Sequence, residues 1–171
     1  MAGLRADELF TCLDRHGVQY VLIGGLAAVL HGSPLPTLDA DICPARTPEN
    51  LVRLAAALRE IDARLRTSDT PAGVRFPHDA AFLGQVELLN LVTAVGDIDL
   101  SFTPAGTHGF DDLDRHALPM TIRGITIRVA ALEDIIRSKA AANRPKDQRS
   151  LPTLRLLLDE LRKRHQRDDV P

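Results

Sequence analysis

The stretch YVLIGGLAAVLHGSPLPTLDADIC, residues 20–43, holds most of the information about the fold. Val18 to Ile23 is apolar and rich in β-branched residues, which predicts a buried strand. Gly24-Gly25 then predicts a turn, and Leu26 to Leu30 predicts a short apolar helix that ends at His31-Gly32. Thr37 to Cys43 alternates strictly in polarity, which predicts a second strand that ends before Pro44.

The flanking sequence continues this alternation of helices and strands. Periodicity predicts helices over 5–15, from Pro48 to about Arg66 and over 132–143, and a final amphipathic helix through Leu154, Leu157, Leu158 and Leu161. It also predicts strands over 87–93 and 97–102 and a hairpin with strands over 121–122 and 126–129. Early strands alternate with helices, whereas later strands run as hairpins. The order predicts an α/β (α+β) fold, a mixed sheet with helices packed on it.

Composition excludes several classes of protein. The chain has 171 residues, 44% hydrophobic and 26% charged, so a folded globular domain is expected. No apolar run is long enough to span a bilayer and no basic-then-apolar leader opens the chain, so neither a membrane nor secretion is expected. Cys12 and Cys43 form no CxxC pair, which argues against a disulfide framework or a cysteine zinc site and favours the cytoplasm.

Charge is distributed unevenly along the chain. Ten basic and five acidic residues lie from Arg137 onward, against eleven and eighteen before it. A basic C-terminal segment beside an acidic body could bind a polyanion such as RNA. The alternative is a solvated helix face, which charge alone favours.

The second strand carries two carboxylates on one face. Because side chains alternate, Leu38, Ala40 and Ile42 are predicted to face the core, and Asp39 and Asp41 the opposite side together. Their Cα atoms would lie roughly 7 Å apart. Two such carboxylates repel each other unless a cation lies between them, and Mg²⁺ is typical of such oxygen sites.

A later strand repeats this arrangement. Asp97 and Asp99 alternate with the apolar Ile98 and Leu100. Carboxylates from two strands on one sheet face suit a two-metal phosphoryl-transfer site, where the metals hold the attacking and leaving oxygens. The alternative is a pair of solvated strand edges, because the Asp-x-Asp pattern is common.

Two further features point to phosphate. Gly24 and Gly25 would let the backbone approach a phosphate closely at the start of a helix, although a tight turn needs glycine in any case. Lys139 falls on the apolar stripe of its helix and is predicted to face inward, where an ammonium needs an anion. That anion is either a nucleotide phosphate or an acid such as Asp147.

Together, Gly24-Gly25 and Thr37-x-Asp39-x-Asp41 resemble the opening motif of the polymerase-β-like nucleotidyltransferase superfamily. Residues 132–139 with Arg144-Pro145-Lys146-Asp147 resemble the C-terminal signature of its AbiEii/MenT-type branch, which includes toxins of bacterial toxin–antitoxin systems. The resemblance implies a catalytic core over residues 1–130 and a helical segment over 131–171 packed on it as one compact domain.

The resemblance also assigns roles to residues. Asp39, Asp41 and Asp99 would be the metal ligands, with Asp99 favoured over Asp97 as the third carboxylate and as acceptor of the attacking hydroxyl's proton. Nucleotide binding would involve several backbone and side-chain groups: Gly24, Gly25, Thr37, Lys139 and Asp147. One departure is Gly25, which stands where many members of the family carry serine.

The sequence thus predicts a nucleotidyltransferase that depends on Mg²⁺ or Mn²⁺. It would transfer a nucleoside monophosphate from a nucleoside triphosphate to an acceptor hydroxyl and release pyrophosphate. By analogy with the toxins, the expected acceptor is RNA, in particular tRNA, and a cognate antitoxin is an expected partner. The alternative is a non-catalytic nucleotide-binding or protein-interaction module on the same fold.

Overall fold

The computed structural model describes residues 3–168, so the last three residues of the predicted helical segment, and Met1 and Ala2, lie outside the described part. Within residues 3–168, seven helices and seven strands follow one another as α1 (Ala6–Arg15), β1 (Tyr20–Ile23), α2 (Gly24–Leu30), β2 (Asp39–Pro44), α3 (Pro48–Glu60), β3 (Arg64–Leu65), α4 (Ala80–Leu83), β4 (Leu88–Thr93), β5 (Gly96–Ser101), α5 (Phe110–Asp114), β6 (Leu118–Ile122), β7 (Ile125–Val129), α6 (Leu132–Ala142) and α7 (Pro145–Asp168).

All seven strands form one mixed sheet in the order β3-β4-β5-β2-β1-β7-β6. Strand β2 pairs in parallel with β5 and antiparallel with β1, while β1 pairs in parallel with β7. The remaining neighbours are antiparallel, including the two predicted hairpins β4–β5 and β6–β7. The predicted mixed sheet with packed helices is therefore confirmed.

The core lies between the sheet and its helices. Its largest fully buried side chains include Leu9, Phe10 and Leu13 of α1, Leu54 and Leu58 of α3, and Ile42, Leu91, Ile98 and Leu100 of the sheet. Helix α3 begins where Thr47 accepts a hydrogen bond from the Asn50 N–H, with Pro48 in the first turn. In α7, the predicted leucine stripe is correct, because Leu154 is buried and Leu157, Leu158 and Leu161 pack against the core.

Several predicted boundaries are wrong. Helix α3 was expected to reach Arg66, but it ends at Glu60, and Asp62 adopts a left-handed backbone with φ of 49° that turns the chain into β3. The short helices α4 and α5 were not predicted, since four or five residues give too little periodicity to detect. Strand β1 begins at Tyr20 rather than at Val18.

Two corrections concern the region that carries the candidate site. Leu38 was predicted to face the core, but it is 85% exposed because β2 begins only at Asp39. Pairing with β5 starts at Asp39 and pairing with β1 extends only to Asp41, so Leu38 lies beyond both neighbouring strands. Gly24 and Gly25 do not form a separate turn; they are the first residues of α2.

Among residues 3–168, no helix is both long and apolar enough to cross a membrane.

Candidate active site

The register of β2 with β5 brings the predicted carboxylates together. In this parallel pair, Asp39 lies opposite Asp97 and Asp41 lies opposite Asp99. Strands paired in this way lie about 4.8 Å apart, and residues two positions apart share one face of the sheet. Four carboxylates therefore occupy one small patch at the middle of the sheet.

The start of α2 packs directly on this patch. A Cβ at Gly24 would overlap the Asp41 carboxylate, lying 2.6 Å from its Cγ, and Gly24 has a φ of 68°, a backbone conformation that favours glycine. A Cβ at Gly25 would lie 2.7 Å from Thr37 Oγ1. Neither position has room for a side chain in this arrangement, and a serine at position 25 would fit only if Thr37 moved.

Asp41 is the most strongly perturbed carboxylate of the patch. Burial raises its pKa to about 6, and the negative charges of Asp39 and Asp99 act in the same direction, whereas Lys146 and a hydrogen bond from the Gly25 N–H oppose the shift. Asp41 therefore holds its proton more tightly than an ordinary carboxyl group when no cation is bound. A divalent cation would reverse this preference, because it stabilises the ionised form.

Asp99 is also desolvated, but it has a cationic partner. Burial raises the pKa of Asp99, and the negative charges of Asp39 and Asp97 raise it further. The positive charges of Arg66 and Lys146 act in the opposite direction. The Arg66 guanidinium lies 2.5 Å from Asp99 Oδ1 and 2.7 Å from Asp97 Oδ2. A carboxylate with a raised pKa, next to an electrophilic centre, is suited to accept a proton.

Thr37 contacts the patch from the loop before β2. Its hydroxyl donates to the Asp39 backbone oxygen at 3.3 Å and to Asp39 Oδ1 at 3.2 Å. The same hydroxyl lies against Gly25. Thr37 therefore links the glycine pair to the first of the predicted ligands.

Lys139 faces inward as predicted, with 18% of its side chain exposed, and its anion is Asp147. Lys139 Nζ lies 3.2 Å from Asp147 Oδ1, and Arg144 Nε lies 2.6 Å from Asp147 Oδ2. Burial opposes ionisation of the fully buried Asp147, but hydrogen bonds from Arg144 and Lys139 outweigh it and lower its pKa. Asp147, one of the two partners considered for Lys139, therefore lies within hydrogen-bonding distance of its ammonium group.

Two cations that the sequence did not identify as site residues lie near the carboxylates. Lys146 lies close enough to lower the pKa values of both Asp41 and Asp99. The pKa of Arg144 is raised first by its hydrogen bond to Asp147 and further by Asp41 and Asp99. Both residues belong to the segment Arg144-Pro145-Lys146-Asp147, which is part of the family resemblance, so the sequence contained a signal that could have identified them. The apolar stripe of α6 instead directed attention to Lys139 as the phosphate-binding cation.

The donor set of the patch fits a divalent cation. The donors are carboxylate oxygens on the neighbouring strands β2 and β5, and such oxygens are hard ligands. The backbone of Gly24 lies next to Asp41, where a residue with a side chain would clash with the carboxylate. Asp39, Asp41 and Asp99 are the residues that would hold such a cation. Arg66 contacts one oxygen of Asp97 at 2.7 Å and one oxygen of Asp99 at 2.5 Å, so each carboxylate keeps a second oxygen for another contact.

Another set of potential ligands lies between α1 and α3. Ligand atoms of Cys12, His16 and Glu60 all lie within 4.8 Å of one another, a grouping that the sequence analysis did not predict. Here a cation is already present, because Arg15 pairs with Glu60, and the Cys12 thiol donates a hydrogen bond to the Ala57 carbonyl oxygen. His16 Nε2 completes the group, 2.7 Å from Glu60 Oε2. These contacts explain the cluster as an ion-paired contact between helices.

Two open clefts, of about 260 and 420 Å³, occur in the described structure. Neither is lined by Asp39, Asp41 or Asp99. The candidate site rests on the chemistry and register of the carboxylates.

The fold matches that of known nucleotidyltransferases. A candidate nucleotidyltransferase from Thermotoga maritima aligns over 92% of this chain and 96% of its own, with 18% identity and a TM-score of 0.52. The lincosamide antibiotic adenylyltransferase LnuA, solved with lincomycin bound, aligns over 91% of this chain and 99% of its own, with 15% identity and a TM-score of 0.58. No protein-family model and no curated protein sequence matches the chain. The chain therefore has the mixed-sheet fold of nucleotidyltransferases, while its place in the AbiEii/MenT-type branch stays a prediction.

Proposed function

We propose that this protein is a metal-dependent nucleotidyltransferase that joins a nucleoside monophosphate from a nucleoside triphosphate to an acceptor hydroxyl. The observation that carries the proposal is the in-register pairing of Asp41 with Asp99 beneath the glycine pair of α2. Half-buried carboxylates in such proximity favour a cation, and the half-buried backbone of Gly24 and Gly25 beside them suits a phosphate. A module that only bound protein partners would gain nothing from this costly grouping.

In this proposal Asp39, Asp41 and Asp99 hold Mg²⁺ or Mn²⁺. When bound, the metal would neutralise charge on the triphosphate and polarise the reacting phosphorus–oxygen bonds. The backbone of Gly24 and Gly25 would contact the phosphates, since neither residue has a side chain to keep them away. Thr37 would maintain the orientation of Asp39 through its hydroxyl.

The chemical step needs an acceptor for one proton. The acceptor hydroxyl oxygen forms a bond to the α-phosphorus, the bond from that phosphorus to the bridging oxygen breaks, and pyrophosphate leaves with the electron pair. Asp99 would accept the hydroxyl proton, because the pairing of β2 with β5 sets its carboxylate beside Asp41, where the reacting groups would lie.

Lys146 and Arg144 are the residues that we propose for contact with the triphosphate. Both interact electrostatically with Asp41 and Asp99. Arg144 and Lys139 both bind the buried Asp147, but 59% of the Arg144 side chain is exposed against 18% of the Lys139 side chain. Lys139 and Asp147 would then hold the beginning of α7 in place, so that the two cations face the carboxylates. This assignment replaces a direct phosphate contact of Lys139 with an indirect role.

For the acceptor we propose RNA, with tRNA as the first substrate to test. Exposed basic residues of α7 support this choice: Arg155, Arg162, Lys163, Arg164 and Arg167. A toxin role and a cognate antitoxin belong to the same proposal. A small-molecule acceptor is the second candidate, because the similar structure LnuA is an antibiotic adenylyltransferase bound to lincomycin.

The decisive experiment is incubation with each α-labelled nucleoside triphosphate, Mg²⁺ or Mn²⁺, and either total RNA or lincomycin. We expect labelled RNA from the wild type and none from Asp41→Asn. Lys146→Ala is expected to raise KM for the nucleotide about 10-fold or more, since it removes a charged contact to phosphate. Label on lincomycin alone would exclude RNA as the acceptor, and label on neither would contradict transfer to both acceptors.

A further inference from the structure

Arg66 joins two carboxylates of β5 with one guanidinium group. Its Nη1 lies 2.7 Å from Asp97 Oδ2 and its Nη2 lies 2.5 Å from Asp99 Oδ1. Only 17% of the Asp99 side chain is exposed, against 34% for Arg66 and 30% for Asp97. We call this three-residue contact the Arg66 bridge. Its burial and its two short contacts distinguish it from an isolated surface ion pair, which contributes little.

The fold holds Arg66 in place from its backbone. Arg66 directly follows β3, and its N–H donates to the Asn90 oxygen of β4 at 2.8 Å. Asn90 in turn lies opposite Asp99 in the β4–β5 register. The side chain of Arg66 therefore extends across β4 to reach β5, and strand pairing determines which carboxylates it meets.

We propose that Arg66 is a positioning residue for Asp99, and that Asp97 acts through Arg66 rather than as a metal ligand. This inference rests on the proposed function, because it concerns how the third carboxylate is held. A planar guanidinium with two parallel donors fixes the angle as well as the distance of its partners. Asp97 fixes the other half of the guanidinium, so that Arg66 cannot turn away from Asp99.

The register supports this division between the two carboxylates. Asp99 lies opposite Asp41, the carboxylate directly beneath α2, whereas Asp97 lies opposite Asp39 at the first residue of β2. The positive charge of Arg66 also offsets the repulsion that four neighbouring carboxylates would otherwise exert on one another.

The test is a double-mutant cycle of Arg66→Gln and Asp97→Asn, with Asp99→Asn for comparison and Arg64→Gln as matched control. Arg64 pairs only with the exposed Asp62 among the described residues, so its variant should behave as wild type. Arg66→Gln and Asp97→Asn should each lower kcat about 10- to 100-fold with KM for the nucleotide unchanged. The double variant should be no slower than Arg66→Gln alone, because Asp97 acts only through Arg66.

Metal binding provides a readout that does not depend on turnover. Binding of Mn²⁺ alone, measured by calorimetry, should remain within about 3-fold of wild type in Asp97→Asn and fall at least about 10-fold in Asp99→Asn. Arg66→Lys should not restore kcat, because a single ammonium cannot bridge both carboxylates in the same geometry.

Three outcomes would overturn the inference. Multiplicative losses of kcat in the double variant would mean that Asp97 acts independently of Arg66. A loss of Mn²⁺ binding in Asp97→Asn equal to that in Asp99→Asn would make Asp97 a ligand, while leaving the proposed function intact. Absence of Mn²⁺ binding in the wild type would instead refute the proposed function and the inference together.

Discussion

Replacing Asp41 with Asn should stabilise the protein in the absence of metal. Asp41 has a pKa of about 6 in the folded chain against an ordinary value of 3.8. Between these values the folded protein binds the proton more tightly than the unfolded chain, so the free energy of unfolding falls as pH rises through this range. The difference of about two pKa units corresponds to about 3 kcal/mol at pH 8.

The assay compares wild type and Asp41→Asn by chemical denaturation in EDTA at pH 8 and pH 4. Asn preserves the volume of Asp and can still accept the hydrogen bond from the Gly25 N–H. We expect the variant to be about 3 kcal/mol more stable at pH 8, equivalent to a rise in Tm of about 6–12 °C, with the difference vanishing near pH 4. Mn²⁺ should stabilise the wild type more than the variant.

Asp159→Asn is the control, because Asp159 is an exposed carboxylate on α7 outside the patch. Its stability should follow that of the wild type within about 0.5 kcal/mol at both pH values. Equal stability of Asp41→Asn and wild type at pH 8 in EDTA would refute the argument, since it would show that Asp41 is ionised in the folded chain without penalty.

The remaining predictions concern the backbone of α2, the buried pair and α7. Gly24→Ala should lower the free energy of unfolding by about 2–4 kcal/mol in denaturant titrations, because a Cβ would lie 2.6 Å from Asp41 Cγ and the positive φ adds strain. An unchanged free energy of unfolding would contradict the close approach of Gly24 to Asp41. Lys139→Ala should lower the free energy of unfolding by about 2–4 kcal/mol, since it removes one partner of the buried Asp147 carboxylate. If the variant instead has normal stability and a raised KM for the nucleotide, Lys139 is a phosphate ligand. Reversal of Arg162, Lys163 and Arg164 to Glu should spare nucleotide binding but weaken RNA binding and flatten its salt dependence by about one unit of slope for each phosphate that is no longer neutralised. Equal slopes for this triple variant and the wild type would identify the basic cluster as a solvated helix face.

The sequence predicted the parts of the site that depend on local pattern. Strand alternation predicted that Asp39 and Asp41 share one face, and the glycine pair was visible as a break between strand and helix. The preference for Asp99 over Asp97 came from the family resemblance alone. The mixed sheet followed from the order of helices and hairpins. Local pattern was sufficient for these features because each depends on residues close together in the chain.

Contacts between distant segments were not predictable in this way. Arg66 was expected at the end of a helix, and only the left-handed turn at Asp62 brings it into the sheet beside β4. Its partner Asp99 lies 33 residues further along the chain. The choice between phosphate and Asp147 for Lys139 likewise depended on how α6 meets α7, which periodicity does not specify.

The parallel pairing of β2 with β5 has a consequence for how the protein folds. Asp41 and Asp99 come from chain segments separated by α3, β3, α4 and β4, so they meet only when a long loop closes. Their mutual repulsion is thus absent from the unfolded chain and arises as these two strands pair. Formation of the central strand pair is opposed by charge at neutral pH, and protons or divalent cations would accelerate it. The proposed cation site would consequently be a property of the completed sheet, since among residues 3–168 no single hairpin or helix carries both Asp41 and Asp99.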